Sequence, residues 1–137
     1  MTDLVETLRE GQEGFKELGH HLQDDRAKRL FLEETQVRAE YAAELENELH
    51  RMGVHDIRVG ISRRSKARLY LAEIKAKLAG GDHDLLVTAE KGEDAAKKAY
   101  ADALKEDLPL PLRELLDRQQ AHILRVYDEV KALRDRR

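Results

Sequence analysis

Two glutamates and one histidine are the residues of this chain whose types and spacing could bind a metal ion. Glu90 and Glu93 stand three residues apart, so a helix would place both carboxylates on one face. Together with His122 they would supply the oxygen and nitrogen ligands that iron and manganese accept. The di-metal sites of helical bundles need two Glu-x-x-His motifs, however, and the sequence contains none. A partial metal site is therefore one interpretation of these three residues. In the other interpretation, His122 is a half-exposed histidine beside a stripe of core residues.

An internal repeat with an offset of 81 residues predicts the elements that carry these side chains. A stripe of apolar and small residues over 4–22 returns over 85–103, and a second stripe over 31–52 returns over 112–133. The steps of three and four residues within each stripe are those of an amphipathic helix. The chain is therefore expected to form two similar helical hairpins in tandem.

Five helices are expected, at about residues 2–22, 25–52, 62–78, 82–105 and 111–136. Asp24 and Asp82 are predicted to cap helix starts, and Gly53 to end the second helix. The hairpin turns are short, whereas the connection between the hairpins is long and includes the third helix. This combination is typical of an all-α, ferritin-like four-helix bundle with up-down-down-up connectivity. We expect one such domain over residues 1–137, with a short extra helix in the crossover.

In each hairpin, the apolar stripe of the second helix is interrupted by a polar residue at the same position. This residue is Arg38 in the first hairpin and Gln119 in the second. A hairpin with its turn near residue 24 places Gly11 level with Arg38. The second hairpin places Gly92 level with Gln119 by the same geometry. Glycine costs helix stability, and a pair of glycines at one level leaves room for a long side chain. The sequence therefore predicts a buried polar layer across the middle of the bundle.

A guanidinium buried in this layer requires a carboxylate partner, because an unpaired buried charge is strongly destabilising. Glu13 or Glu93 is predicted to be the main partner of Arg38. The remaining candidates are Glu10, Glu34 and Glu90. Alternatively, Arg38 lies at the edge of the stripe and extends its head group into water.

Composition favours a helical protein and argues against several classes of function. Charged residues make up 39% of the chain and aromatic residues 4%, with two prolines and no tryptophan, a balance typical of helical bundles. The net charge of −3 predicts neither a nucleic-acid nor a membrane partner. There is no cysteine, which excludes disulfides and thiol nucleophiles, and no apolar run approaches the ~18 residues of a membrane span. We expect a soluble, cytoplasmic protein with no catalytic residues.

Residues 58–77 hold the strongest charge asymmetry, with seven basic residues and one acid. Such a segment could dock on nucleic acid. A solvated helix face, or a contact with the acidic second helix, is the more common role of a charge run. Nucleic-acid docking through this crossover helix is therefore the least favoured interpretation.

Six short segments of the chain match a pattern found in a known family. They are EGQEGF at 10–15, RAEYAAEL at 38–45, AGGD at 79–82, EKGEDAA at 90–96, KAY at 98–100 and ALKEDLP at 103–109. Together they resemble an uncharacterised bacterial family of ferritin-like, or rubrerythrin-like, four-helix bundles. The resemblance covers almost the whole chain and is weakest over residues 54–70. It implies a ferritin-like fold in a stress-associated bacterial setting, with no established activity and no catalytic residues.

These observations predict a non-catalytic interaction or assembly protein that forms a homodimer and needs no cofactor. Its buried polar layer would comprise Arg38, Gln119, Gly11, Gly92, Glu13 and Glu93. The alternative is a degenerate di-metal oxidase or metal carrier that binds iron or manganese through Glu90, Glu93 and His122.

Overall fold

A computed structural model describes residues 2–53 and 66–136 of the chain, with side chains described over 4–53 and 72–136. The described residues form five α-helices and no strand, so the fold is all-α. The helices are α1 (Thr2–His21), α2 (Asp25–Arg51), α3 (Lys66–Lys77), α4 (Asp82–Leu104) and α5 (Leu110–Asp135). Their ends lie within one residue of the expected bounds except at the start of α3, where residues 62–65 fall outside the described ranges.

The helices α2 and α4 start in different ways. The Asp24 carboxylate accepts a hydrogen bond from the backbone N–H of Ala27 at 2.9 Å and so begins α2. The sequence predicts Asp82 as the cap of α4, whereas Gly81, with a positive φ of 85°, is the N-cap. Asp82 lies one residue inside the helix, and its carboxylate accepts hydrogen bonds from the backbone N–H groups of Gln23 and Asp24 at 2.9 and 2.8 Å. It therefore joins the start of α4 to the turn between α1 and α2.

Contacts along the helices show how they are arranged. The helix α1 is antiparallel to both α2 and α4, and α5 is antiparallel to the same two helices. The pairs that fix this order are Arg9–Glu46 and Phe15–Phe31 between α1 and α2, Tyr100–Gln119 and Glu90–Arg134 between α4 and α5, and Glu44–Arg118 and Glu34–His122 between α2 and α5. The helices α2 and α4 occupy opposite corners, with no direct approach of their backbones in the described ranges, and α3 packs against α1 and α4.

The hydrophobic core is divided into two clusters. One holds the first residues of α1 with the ends of α2 and α4, and the other holds the end of α1 with the starts of α2 and α4. On α1 the first cluster ends at Leu8 and the second begins at Phe15, and on α2 the second ends at Phe31 and the first begins at Ala42. The residues between these limits are mostly polar or small. The middle of the bundle is thus the level at which its charged side chains are buried.

Candidate functional site

Arg38 is the central residue of the buried polar group. It lies on α2, and only 1% of the residue is exposed. Its guanidinium carbon is 5.0 Å from the centre of the Phe15 ring, a cation–π contact with α1. A Cβ atom added to Gly11 would stand 3.2 Å from the Arg38 Nη1. A side chain at Gly11 would therefore crowd the guanidinium where it lies against α1.

Two buried carboxylates accept all the described hydrogen bonds of this guanidinium. The Nη1 and Nη2 atoms of Arg38 donate to the two carboxylate oxygens of Glu93 at 2.8 and 2.6 Å. The Nε atom donates to Oε1 of Glu34, one turn earlier on α2, at 2.7 Å. Both glutamates are 2% exposed. The two-point contact with Glu93 is the geometry in which a guanidinium binds an ionised carboxylate.

The charge of Arg38 is retained in this environment. Burial by itself lowers the pKa of Arg38, but Glu93 and Glu34 outweigh it and raise the pKa of the guanidinium above its usual value. Burial raises the pKa of Glu93, and the Arg38 charge opposes that rise. An arginine side chain does not lose its proton in proteins. The guanidinium of Arg38 itself is therefore neither a general base nor a metal ligand.

His122 connects this buried group to the surface. Its Nε2 atom lies 2.9 and 3.1 Å from the two carboxylate oxygens of Glu34. The side chain of His122 is 24% exposed, and its ring meets the ring of Tyr41 edge-on at 5.5 Å between centroids. A chain of four side chains, from His122 through Glu34 and Arg38 to Glu93, therefore crosses the bundle from its α2–α5 side to α4.

Gln119 belongs to a second polar contact near the first. It is fully buried, and its Oε1 accepts a hydrogen bond from the hydroxyl of Tyr100 at 2.7 Å. Its Nε2 donates to the backbone carbonyl of Tyr41 at 3.2 Å. The amide is thus satisfied at both ends, as a buried amide needs to be. Burial raises the pKa of the Tyr100 hydroxyl, which is the donor in this contact.

The residues predicted to form the buried polar layer differ in their burial and in whether they contact Arg38. Glu93 contacts Arg38 directly, whereas Glu13 is half-buried and accepts none of the described hydrogen bonds of Arg38. Gly92 is half-buried and lines a cavity of about 20 Å³ beside Gly11, a volume close to that of one water probe. Glu34, one of the remaining candidates from the sequence, accepts the hydrogen bond from Nε of Arg38.

The three residues of the alternative metal site each bind a different partner. Glu90 pairs with Arg134 at the α4–α5 contact, while Glu93 and His122 bind Arg38 and Glu34 respectively. Among the residues whose side chains are described, no group of three or more His, Asp or Glu is arranged to hold a metal ion.

Other predicted features lie partly outside the described residues. Of the basic crossover segment, residues 58–65 and the side chains of 66–71 fall outside the described ranges. Within those ranges, no helix combines the length and apolar character that crossing a membrane requires.

Tyr100 is a further buried residue with a polar group, and the repeat alone does not reveal it. It stands seven residues after Glu93, so two helical turns place both on the same face of α4. The structure places Tyr100 level with Gln119, since their side chains share a hydrogen bond of 2.7 Å. The prediction that Gly92 lies level with Gln119 is therefore wrong, because Gly92 stands eight residues, or about 12 Å along the helix, before Tyr100.

Comparison with known proteins gives one family. The model of the family described as "Domain of unknown function (DUF2383)" matches residues 1–106. A search of curated proteins finds no match.

Proposed function

The chain belongs to the family of the domain of unknown function DUF2383, and from the geometry at the bundle centre we propose that it is a non-catalytic interaction or assembly protein. The proposal includes a ferritin-like arrangement of the four long helices. On the family resemblance alone, it also includes a cytoplasmic, stress-associated bacterial setting. Iron or manganese chemistry is the competing function that the test below addresses.

The contact between Arg38 and Glu93 is the observation that carries the proposal. In ferritin-like di-iron proteins, glutamates that project inward from the helices are the metal ligands. Here the inward carboxylates of Glu34 and Glu93 accept hydrogen bonds from a permanently charged guanidinium. A cation of this kind at the level of the ligands repels a second cation. The centre is suited to hold four helices together rather than to bind an ion.

The helix directions support the ferritin-like part of the proposal. The first and second helices are antiparallel, as are the fourth and fifth, and a long connection that includes α3 joins the two hairpins. In this connectivity the second helix of the first hairpin runs parallel to the first helix of the second hairpin. Arg38 and Glu93 lie on those two helices.

Metal content tests the proposal. We expect protein purified without a histidine tag, then incubated with ferrous iron or manganese and passed through a desalting column, to retain much less than one ion per chain by elemental analysis. The parent protein suffices for this result, so it does not depend on a variant that folds.

A bound ion at one per chain would favour the metal-binding function if substitution of a predicted ligand residue removed that ion. The variant to compare is Glu93→Ala, and its matched control is Glu106→Ala, which removes an exposed carboxylate between α4 and α5. Retention of one or more ions by the parent and the control, and their loss from Glu93→Ala, would overturn the non-catalytic proposal.

A further inference from the structure

The outer face formed by α2 and α5 is the least closely packed side of the bundle. These two helices approach each other closely at fewer points than any other neighbouring pair in the described ranges. A surface groove of about 360 Å³ lies between them at one end, lined by residues that include Glu44, Arg51 and Arg118. Val37 and Ala121 lie near the middle of the face, where Val37 is half-buried and Ala121 is exposed.

The register between the two helices can be read from four contacts. They are Asp24–Arg136, Glu34–His122, Tyr41–Gln119 and Glu44–Arg118. Because the helices are antiparallel, residues at one level have numbers that add to about 160. Glu33 on α2 is therefore nearly level with Arg125 on α5, and Glu40 is nearly level with Arg118.

Charge is distributed unequally across this face. The middle of α2 presents acids, among them Glu33 and Glu40, and the middle of α5 presents Arg118 and Arg125. All four residues are exposed. Arg118 already pairs with Glu44 at 2.8 Å, whereas Glu33 and Arg125 have no ion pair among the residues that the structure describes. The middle of the face thus places two acids of α2 and two arginines of α5 at matching levels.

We propose that the α2–α5 face binds a second copy of this chain, around a two-fold axis that lies parallel to the helices. This axis keeps every residue at its level and exchanges the two sides of the face. The helix α2 of one copy then lies on α5 of the other. Glu33 faces Arg125 of the partner subunit, and Glu40 faces Arg118 of the partner subunit. Each pair occurs twice because the interface is symmetric.

Charge also selects this arrangement over the other face-to-face dimer. A two-fold axis perpendicular to the helices would place α2 on α2, with the acidic residues of both copies opposite each other. Like charges across an interface are strongly unfavourable. The area is sufficient for a stable contact, since two helices about 40 Å long and about 10 Å apart present roughly 800 Å² per copy.

Charge reversal tests the contact because neither Glu33 nor Arg125 has a described ion pair that the substitution would break. We expect the parent to form a dimer by analytical ultracentrifugation, and Glu33→Arg and Arg125→Glu each to raise the dimer Kd by about tenfold or more. An equimolar mixture of the two variants should associate as tightly as the parent. In that heterodimer both contacts again join an arginine and a glutamate. A chain that carries both Glu33→Arg and Arg125→Glu should also form a homodimer with the parent Kd.

Lys98→Glu is the matched control, because it reverses an exposed positive charge on α4, away from this face. It should leave the Kd unchanged. A parent that is monomeric, or a dimer that both reversals leave intact, would overturn the proposed contact. So would a mixture of variants that fails to associate.

This inference rests on the proposed assembly function, and metal analysis of the same samples separates the two. A metal-free monomer would contradict the α2–α5 contact alone. A dimer that responds to the charge reversals but holds stoichiometric iron or manganese would contradict the non-catalytic function alone.

Discussion

Arg38 and Glu93 are joined across the diagonal of the bundle. Two hydrogen bonds of 2.8 and 2.6 Å connect their side chains, although α2 and α4 make no direct backbone approach in the described ranges. The long arginine side chain reaches past α1, where Gly11 leaves space for it. The contact links the two hairpins at the level between the two core clusters, where apolar packing is interrupted.

Removing the guanidinium should be severely destabilising. We expect Arg38→Ala to lower the free energy of unfolding by about 3–5 kcal/mol, because two buried carboxylates lose their common partner. Urea denaturation followed by circular dichroism measures the effect. A variant with the unfolding midpoint of the parent would show that the cluster is not buried in solution.

Replacing the ion pair by apolar side chains should recover most of this loss. The double variant Arg38→Met with Glu93→Met leaves Glu34 in contact with His122 and places two flexible side chains in the vacated space. Apolar replacement of a buried ion pair is often neutral or stabilising. Its unfolding free energy should therefore exceed that of Arg38→Ala.

Gly11 and Arg38 should be energetically coupled. A Cβ at Gly11 already stands 3.2 Å from Nη1 of Arg38, so Gly11→Leu would compete with the guanidinium for space and cost about 1–3 kcal/mol. In the Arg38→Ala background, Gly11→Leu would instead fill the space left by the arginine. It would also stabilise α1, because it removes a glycine from the helix. A double-mutant cycle measures the coupling. Additive effects in the two backgrounds would mean that the side chains do not share this space.

The helices and the buried arginine follow from local patterns in the sequence. Apolar residues at steps of three and four define α1, α2, α4 and α5 on their own, and Arg38 stands inside one of these stripes. Glu93 also stands in its stripe, four residues after Ala89 and three before Ala96. Glu13 lies two residues from both Gly11 and Phe15, so it points away from the core face of α1. Helical period alone therefore favours Glu93 over Glu13.

The contact between Glu34 and His122 could not be placed from the sequence. Short turns set the levels within each hairpin, but the register between α2 and α5 depends on the long connection and on packing of the assembled bundle. Asp82 illustrates the same point, since its carboxylate binds the backbone of a turn 58 residues away rather than capping its own helix. Contacts between hairpins are a result of tertiary packing.

Stability should fall at alkaline pH because of Tyr100. Burial raises the pKa of this hydroxyl in the folded state, whereas an unfolded tyrosine titrates near pH ~10. A group whose folded pKa is raised contributes stability that is present below its unfolded pKa and lost as the pH rises above it. One pH unit above ~10 the loss approaches about 1.4 kcal/mol. Tyr100→Phe should flatten this alkaline decline.

The unfolding free energy should be measured in urea from pH ~8 to pH ~11.5, a range that spans the tyrosine pKa of ~10. These measurements separate the effect of Tyr100 ionisation from the effect of the lost hydrogen bond. At pH ~8 Tyr100→Phe leaves the Oε1 atom of Gln119 without its donor and should cost about 1–3 kcal/mol. Burial and the nearby Glu34 charge also raise the pKa of Tyr41. Since Tyr41 is only half-buried, Tyr41→Phe is the control and should flatten the decline less. Equal alkaline slopes in the parent and Tyr100→Phe would mean that the Tyr100 hydroxyl reaches solvent without unfolding.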